Sequence, residues 1–104
     1  MFDIDFGDQG QIIFNGRLDA SQAEKAQAFL DAVPEPQVAD LAALEYLSSA
    51  GLGVLLKTQK RLMGAGGGLK LVNVSNHIND IFRYSGFDQI FDIETANEHK
   101  SSIS

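Results

Sequence analysis

At 104 residues with 44% hydrophobic side chains, the chain supports one domain around a single modest core. The absence of cysteine excludes a disulfide framework, a thiolate zinc site and a cysteine nucleophile, and fits a reducing compartment. Fourteen acidic against eight basic side chains give a net charge of −6, which lacks the basic footprint that nucleic acid or anionic lipid requires, so a protein or small-molecule partner is expected.

The first residues, Met1-Phe2-Asp3-Ile4-Asp5, lack the basic start and apolar run of a signal peptide. No apolar stretch approaches the roughly 18 residues of a membrane span, so a cytoplasmic protein without membrane insertion is expected. Phe2, Ile4 and Phe6 alternate with Asp3 and Asp5, and Gly7-Asp8-Gln9-Gly10 is turn chemistry before an apolar run at residues 11–15, which predicts a β-hairpin. Gly16-Arg17-Leu18-Asp19 reads as the loop into a first helix, with Ala23, Ala26, Phe29, Leu30 and Val33 at helical spacing and Pro34 and Pro36 as the stop. Two capping boxes compete at its start, Ser21 with Glu24 and Asp19 with Gln22. If Ser21 caps, Asp19 is left in the loop as an unassigned carboxylate; if Asp19 caps, it is structural.

Residues 37–41 read as a buried strand closed by Ala42-Ala43, leading to the stretch around which the chain is organised, residues 44–56. That stretch reads as an arriving strand, a tight turn at Ser48-Ser49, and a second helix. In that helix Leu52, Leu55, Leu56, Leu62 and Met63 face one way, Lys57, Lys60 and Arg61 face solvent, and Gly64, Gly66, Gly67 and Gly68 end it. With either serine as N-cap, the residue three further on is Gly51 or Leu52, so no Glu or Gln returns to cover the remaining N–H donors. A hydroxyl at this helix start therefore either caps it or carries something anionic. Gly51 and Gly53 each weaken the helix by roughly 0.5–1 kcal/mol relative to Ala, which points to bare backbone needed for packing or for close approach by a partner.

Leu69, Leu71, Val72 and Val74 mark the next strand, and Ser75 caps a third helix carrying Ile78, Ile81 and Phe82 that ends at Gly86. Residues 87–93 add a last short strand. The domain spans residues 1–94, and residues 95–104 are expected to be a frayed helix or disordered. Strands alternating with helices imply an α/β fold: a mixed, mostly parallel sheet of four to five strands with an antiparallel edge pair, packed with three to four helices.

Several chemistries are absent. The glycines at 64–68 follow a helix and precede a strand, the reverse of a dinucleotide fingerprint, and no Lys-Ser/Thr follows for a P-loop. His77 and His99 have no carboxylate or second histidine at metal spacing. Ser49 lacks a Gly-x-Ser-x-Gly elbow, and so short a chain leaves little room for a substrate pocket. Neither an enzyme, nor a metal site, nor a cofactor is expected.

The run at residues 44–56, Leu44-Glu45-Tyr46-Leu47-Ser48-Ser49-Ala50-Gly51-Leu52-Gly53-Val54-Leu55-Leu56, resembles the signature of STAS domains, in particular bacterial anti-sigma factor antagonists. Gly16-Arg17-Leu18-Asp19-Ala20 resembles that family's loop before its first helix, Gly67-Gly68-Leu69-Lys70-Leu71-Val72-Asn73-Val74 its fourth strand, and residues 81–91 its third helix and last strand. The resemblance covers about residues 2–93. It implies a non-catalytic partner switch: unmodified, such a protein binds an anti-sigma factor that is also a serine kinase and so frees the sigma factor. Phosphorylation on one serine at the start of the second helix reverses the binding, and a phosphatase would restore it. By position that serine is Ser49, with Ser48 the other candidate, standing where many relatives have Asp. Asp19 matches the loop acid near the phosphorylation site, and the implied partner surface comprises Asp19, Ser48, Ser49, Gly51, Leu52 and Gly53. Two departures are visible: Ala42 stands where relatives often have Ser, and the tail is short of the usual closing helix. The alternative within the same resemblance is an unphosphorylated accessory subunit of a transport complex or signalling scaffold, with Ser49 only a cap.

Overall fold

Alternation of Phe2 and Ile4 with Asp3 and Asp5 does build a strand, β1 (Phe2–Phe6), which pairs antiparallel with β2 (Ile12–Leu18) across the turn. The computed structural model describes residues 1–96. A 3-10 turn (Ala20–Gln22) leads into α1 (Ala23–Asp31), then β3 (Gln37–Leu47), α2 (Ser49–Met63), β4 (Leu69–Val74), α3 (Asn76–Tyr84) and β5 (Asp92–Thr95). The five strands form one sheet in the order β1-β2-β3-β4-β5, antiparallel at the first pair and parallel at the other three. This is the expected mixed sheet, with three α-helices.

Buried side chains of the strands come from one face: Ile12, Phe14 and Leu18 on β2, Ala39, Leu41, Leu44 and Leu47 on β3, Leu69, Leu71 and Val74 on β4. Ile13, Asn15, Arg17, Asp40, Lys70 and Val72 on the opposite face keep contact with solvent. The helices therefore cover a single face, and Ala26, Leu30, Leu52, Leu55, Leu62, Ile78 and Phe82 complete the core from above. Phe82 packs edge-on against Phe91, with ring centroids 5.2 Å apart.

Several boundaries differ from the sequence reading, each for a local reason. Gly16, Arg17 and Leu18 are strand rather than loop: Gly16 sits at φ +93 and Arg17 donates its N–H to the Met1 carbonyl at 2.8 Å, so the ladder continues. Ala42-Ala43 do not close β3. The register against β2 slips there, Ile13 facing Asp40 but Asn15 facing Ala43, and slips again between Gly16 and Arg17. The Asp40 carboxylate accepts the Ala42 N–H at 2.9 Å within the first irregularity. These bulges reset the inward phase, so that Leu44 and Leu47 both point under the helices.

Residues 87–90 form a turn, and β5 starts only at Asp92, because Phe91 is drawn into the core and Ile90 closes back on Phe87. Met63 is 56% exposed, since the stripe that contains Leu55 and Leu62 has already turned inward one residue earlier. Arg61 does not simply face solvent: its guanidinium donates to the carbonyls of Leu30 at 2.7 Å and Val33 at 2.8 Å, where α1 ends. Thr95 belongs to β5 and Ala96 donates to the Val74 carbonyl, while the rest of the tail, residues 97–104 with His99, lies outside the described residues.

The helix stops follow the glycines. Gly66, at φ +99, donates to Met63, and Gly67 donates to Leu62, closing α2 with the crossed pair of bonds typical of a left-handed stop. Gly86 repeats the arrangement at the end of α3.

Candidate functional site

β2 and β3 end level with each other. Leu18 pairs with Leu47, and Ser48 donates its N–H to the Leu18 carbonyl at 2.9 Å. The two strand-to-helix junctions are thereby held side by side, Asp19 leading into the 3-10 turn and Ser48 into α2.

Ser48 is the cap of α2. Its backbone is extended, its Oγ accepts the Gly51 N–H at 3.1 Å, and its carbonyl accepts the Leu52 N–H at 2.8 Å. Gly51 has no room for a side chain: a Cβ there would stand 2.7 Å from Leu18 Cγ and 2.9 Å from the Leu18 carbonyl oxygen. The helix start is thus pressed against the end of β2, which ties both junctions to one rigid point. Ser49 is the first residue of the helix, it is exposed, and its hydroxyl makes no hydrogen bond among the described residues. The N–H groups of Ser49 and Ala50 precede any intrahelical acceptor, and the first turn carries no acidic residue while Lys60 and Arg61 occupy the last. The positive end of the helix dipole therefore meets solvent at Ser49 without a fixed counter-charge on its own helix.

At the neighbouring junction Asp19 is the cap. Its Oδ1 accepts the Ser21 N–H at 3.0 Å and the Ser21 hydroxyl at 2.6 Å. Ser21 spends its hydroxyl as a donor to Asp19, so the box between Ser21 and Glu24 does not form, and α1 itself begins without a side-chain cap. The hydrogen bond from the Ser21 hydroxyl, helped by the backbone N–H groups of Ser21 and Gln22, holds the Asp19 carboxyl below its ordinary value of 3.8. The carboxylate is consequently ionised and oriented. The turn that it caps packs against α2.

Of the other candidate residues, Leu52 is only 6% exposed and Gly51 is buried, so both support the junction from beneath. Gly53 is half-buried, and no atom lies within 4 Å of where its Cβ would be. Among the described residues no three His, Asp or Glu side chains gather into a metal-binding group. His77 is exposed on α3, and the glycines at 64–68 stop α2 and lead into β4, Gly67 against Pro36 and Gly68 against Gln59.

One supporting residue escaped the sequence reading. Gln59 is buried on α2, where its amide donates to the Ile90 carbonyl at 2.9 Å and accepts the Leu69 N–H at 2.7 Å. Its signal was present, since it occupies an inward position in the spacing Leu52, Leu55, Gln59, Leu62. A polar residue on such a stripe needs internal partners.

With this geometry in view, the comparisons with known proteins are specific. Residues 4–94 match the family model described as Mlab, STAS domain. BtrV of Bordetella bronchiseptica, named for anti-sigma factor antagonism, is 36% identical over 87 residues, covering 80% of this chain and 75% of BtrV. An anti-sigma factor antagonist from Mycobacterium paratuberculosis superposes with a TM-score of 0.76 at 24% identity, over 98% of this chain and 92% of that one. The antagonist SpoIIAA in its unphosphorylated form superposes with a TM-score of 0.70 at 20% identity, over 99% and 96% of the two chains. At such identities the structures speak for the fold, and the family match covers nearly all of the sheet and both junctions: the chain belongs to the STAS-domain family.

Proposed function

We propose that this chain is an anti-sigma factor antagonist of the cytoplasm, a non-catalytic module that binds an anti-sigma factor with serine-kinase activity and is released when that kinase phosphorylates Ser49. The observation that carries the reading is the division of labour between two adjacent serines. Ser48 is engaged in capping, whereas Ser49 presents an exposed hydroxyl at a helix start, and among the described residues neither that hydroxyl nor the first N–H groups have a partner. The name of BtrV supports the antagonist half of the reading. SpoIIAA, whose fold this chain shares, has been described in both phosphorylated and unphosphorylated forms, which supports the other half.

A phosphate on Ser49 would add about −1.5 to −2 charges beside the free N–H groups of the helix start. The Ser48 cap and the Gly51 contact with Leu18 involve neither Ser49 oxygen nor its neighbours in solvent, so the backbone would stay where it is. Repulsion and desolvation within an interface would do the switching. A coupling of about 1–3 kcal/mol corresponds to a change in affinity of roughly 5- to 150-fold, enough when partner concentrations lie near Kd. Asp19, ionised and held by Ser21 at the adjoining junction, is the contact for a basic group on the partner. A phosphatase would reset the cycle.

The test is incubation with the anti-sigma factor and ATP, followed by mass spectrometry of the modified residue and calorimetry of both forms. Phosphate on Ser49 with weakened binding is the expected result. No phosphate, phosphate on Ser48, or co-purification with a transporter ATPase in place of a kinase would overturn the reading.

A further inference from the structure

α1 and α2 leave the ends of neighbouring parallel strands and run side by side. Between their first halves lies an open, largely apolar groove of about 490 Å³, lined by Ala23, Gln27, Ala50, Gly53, Val54 and Leu56. Its far end is shut where Arg61 reaches across from α2 to the Leu30 and Val33 carbonyls at the end of α1. Its near end is the start of α2. Glu24 on α1 and Lys57 on α2 form opposite rims.

Gly53 is the informative residue here. Unlike Gly51, whose missing side chain is demanded by Leu18, Gly53 faces empty space and has ordinary helical backbone. The fold would accept Ala there, and a mid-helix Gly is the less stable choice. Packing inside the chain does not explain it, whereas close approach from outside does. Ser49 and Gly53 are four residues apart on α2, so they are neighbours on one face, one turn above the other. The groove floor and the exposed hydroxyl belong to one surface.

From these observations we infer that the groove receives an amphipathic helix of the partner protein, which lies along α1 and α2 with an apolar residue seated on Gly53, a basic flank over Glu24 and an acidic flank over Lys57. Small residues on the floor allow two helix backbones to approach closely, and a third helix set into the valley between two others is ordinary ridge-into-groove packing. The rims supply the orientation, one acidic and one basic, so the docked helix is read in a single direction. A second copy of this chain does not fit the groove. Among the described residues the exposed large apolar side chains, Met1, Phe6, Val38, Met63 and Tyr84, do not line up along one helix, so the described helices offer no continuous exposed apolar ridge. The inference rests on the proposed antagonist role and deepens it, because a phosphate at Ser49 would stand at the mouth of the same groove, one turn from the seated residue.

The test uses the full chain and the purified anti-sigma factor that it binds. Gly53→Leu projects into the groove from a position where a Cβ meets no neighbouring element, so it should fold and melt at or above the temperature of the native chain while weakening binding roughly 30-fold or more, as loss of a buried anchor does. Gly53→Ala should melt at or above the temperature of the native chain and weaken binding by a smaller factor than Gly53→Leu. Glu24→Lys and Lys57→Glu should each weaken binding, and pairing either with a compensating charge reversal on the partner helix should restore it. If the native chain binds the anti-sigma factor and Gly53→Leu binds it equally well, the groove assignment falls while the antagonist role stands. If the native chain binds no anti-sigma factor, both fall. Concentration-dependent dimerisation of the native chain that Gly53→Leu abolishes would overturn the assignment in favour of a second copy.

Discussion

Replacing Ser48 by Ala removes the one side-chain cap of α2 while leaving Ser49 untouched. The bond lost is the 3.1 Å contact from the Gly51 N–H, and Gly51 is buried against Leu18, so water cannot readily take the place of the hydroxyl. Loss of a Ser cap destabilises by about 0.5–2 kcal/mol, and a donor left buried without an acceptor puts this case in the upper part of the range, about 1–2 kcal/mol. For a domain of this size each kcal/mol lowers Tm by about 4–8 °C, which predicts a fall of roughly 4–16 °C. Ser49→Ala, in contrast, deletes an exposed hydroxyl that has no partner among the described residues, at a position where Ala is the better helix former, and should change stability by less than about 0.5 kcal/mol. Urea unfolding followed by far-UV circular dichroism measures both, with the same slope expected for each variant. Equal losses for the two variants, or a larger loss for Ser49→Ala, would refute the assignment of Ser48 as cap and Ser49 as the free acceptor.

Gly51→Ala and Gly53→Ala should move stability in opposite directions: the first forces Leu18 aside and destabilises by about 1–3 kcal/mol, the second gains about 0.5–1 kcal/mol, both read by thermal melts. Gln59→Leu leaves the Leu69 N–H and the Ile90 carbonyl without their partner, and should lose about 2–5 kcal/mol by denaturant titration, with early hydrogen exchange at the start of β4. For Asp19 the folded carboxyl titrates below its ordinary value of 3.8, so its contribution to stability is present above that pH and is lost as the pH falls through the lowered folded value. Asp19→Asn should therefore be less stable than the native chain at neutral pH, with the difference closing in acid; a difference that persists unchanged at low pH would show that the carboxylate charge is not what Ser21 holds.

The elements that announce themselves by period were legible. Phe2 and Ile4 against Asp3 and Asp5, the apolar spacing of α1, and the glycines after α2 and α3 all specify local structure through short-range sterics and burial, and each appears where it was read. What depended on long-range pairing was not. The two irregularities that lengthen β3 past Ala42-Ala43 arise only opposite β2, and nothing in Ala-Ala itself signals them. The strand character of Gly16, Arg17 and Leu18 likewise requires Met1 and β3 alongside. At the site, the sequence left Ser48 and Ser49 interchangeable as caps. The decision comes from the end of β2, because Gly51 must lie flat on Leu18, and that contact brings the Gly51 N–H under Ser48. Asp19 against Ser21 was open for a similar reason: a 3-10 turn precedes α1 and Asp19 caps that turn by accepting from Ser21, so the cap falls on Asp19 and the box from Ser21 to Glu24 does not close.

The strand order of the sheet repeats the order of the chain, and this bears on how the molecule comes into being. From β3 onward each strand pairs with the strand one helix upstream of it, and none is inserted between two others. The antiparallel hairpin is the template, and the sheet grows from it in one direction by single additions, each closing a loop of modest length. The junction that carries Ser48 and Ser49 is built from residues of β2, β3 and α2, without a residue of β4 or β5. Destabilising the hairpin should thus impair assembly of everything downstream, whereas damage to β5 strikes the last piece added.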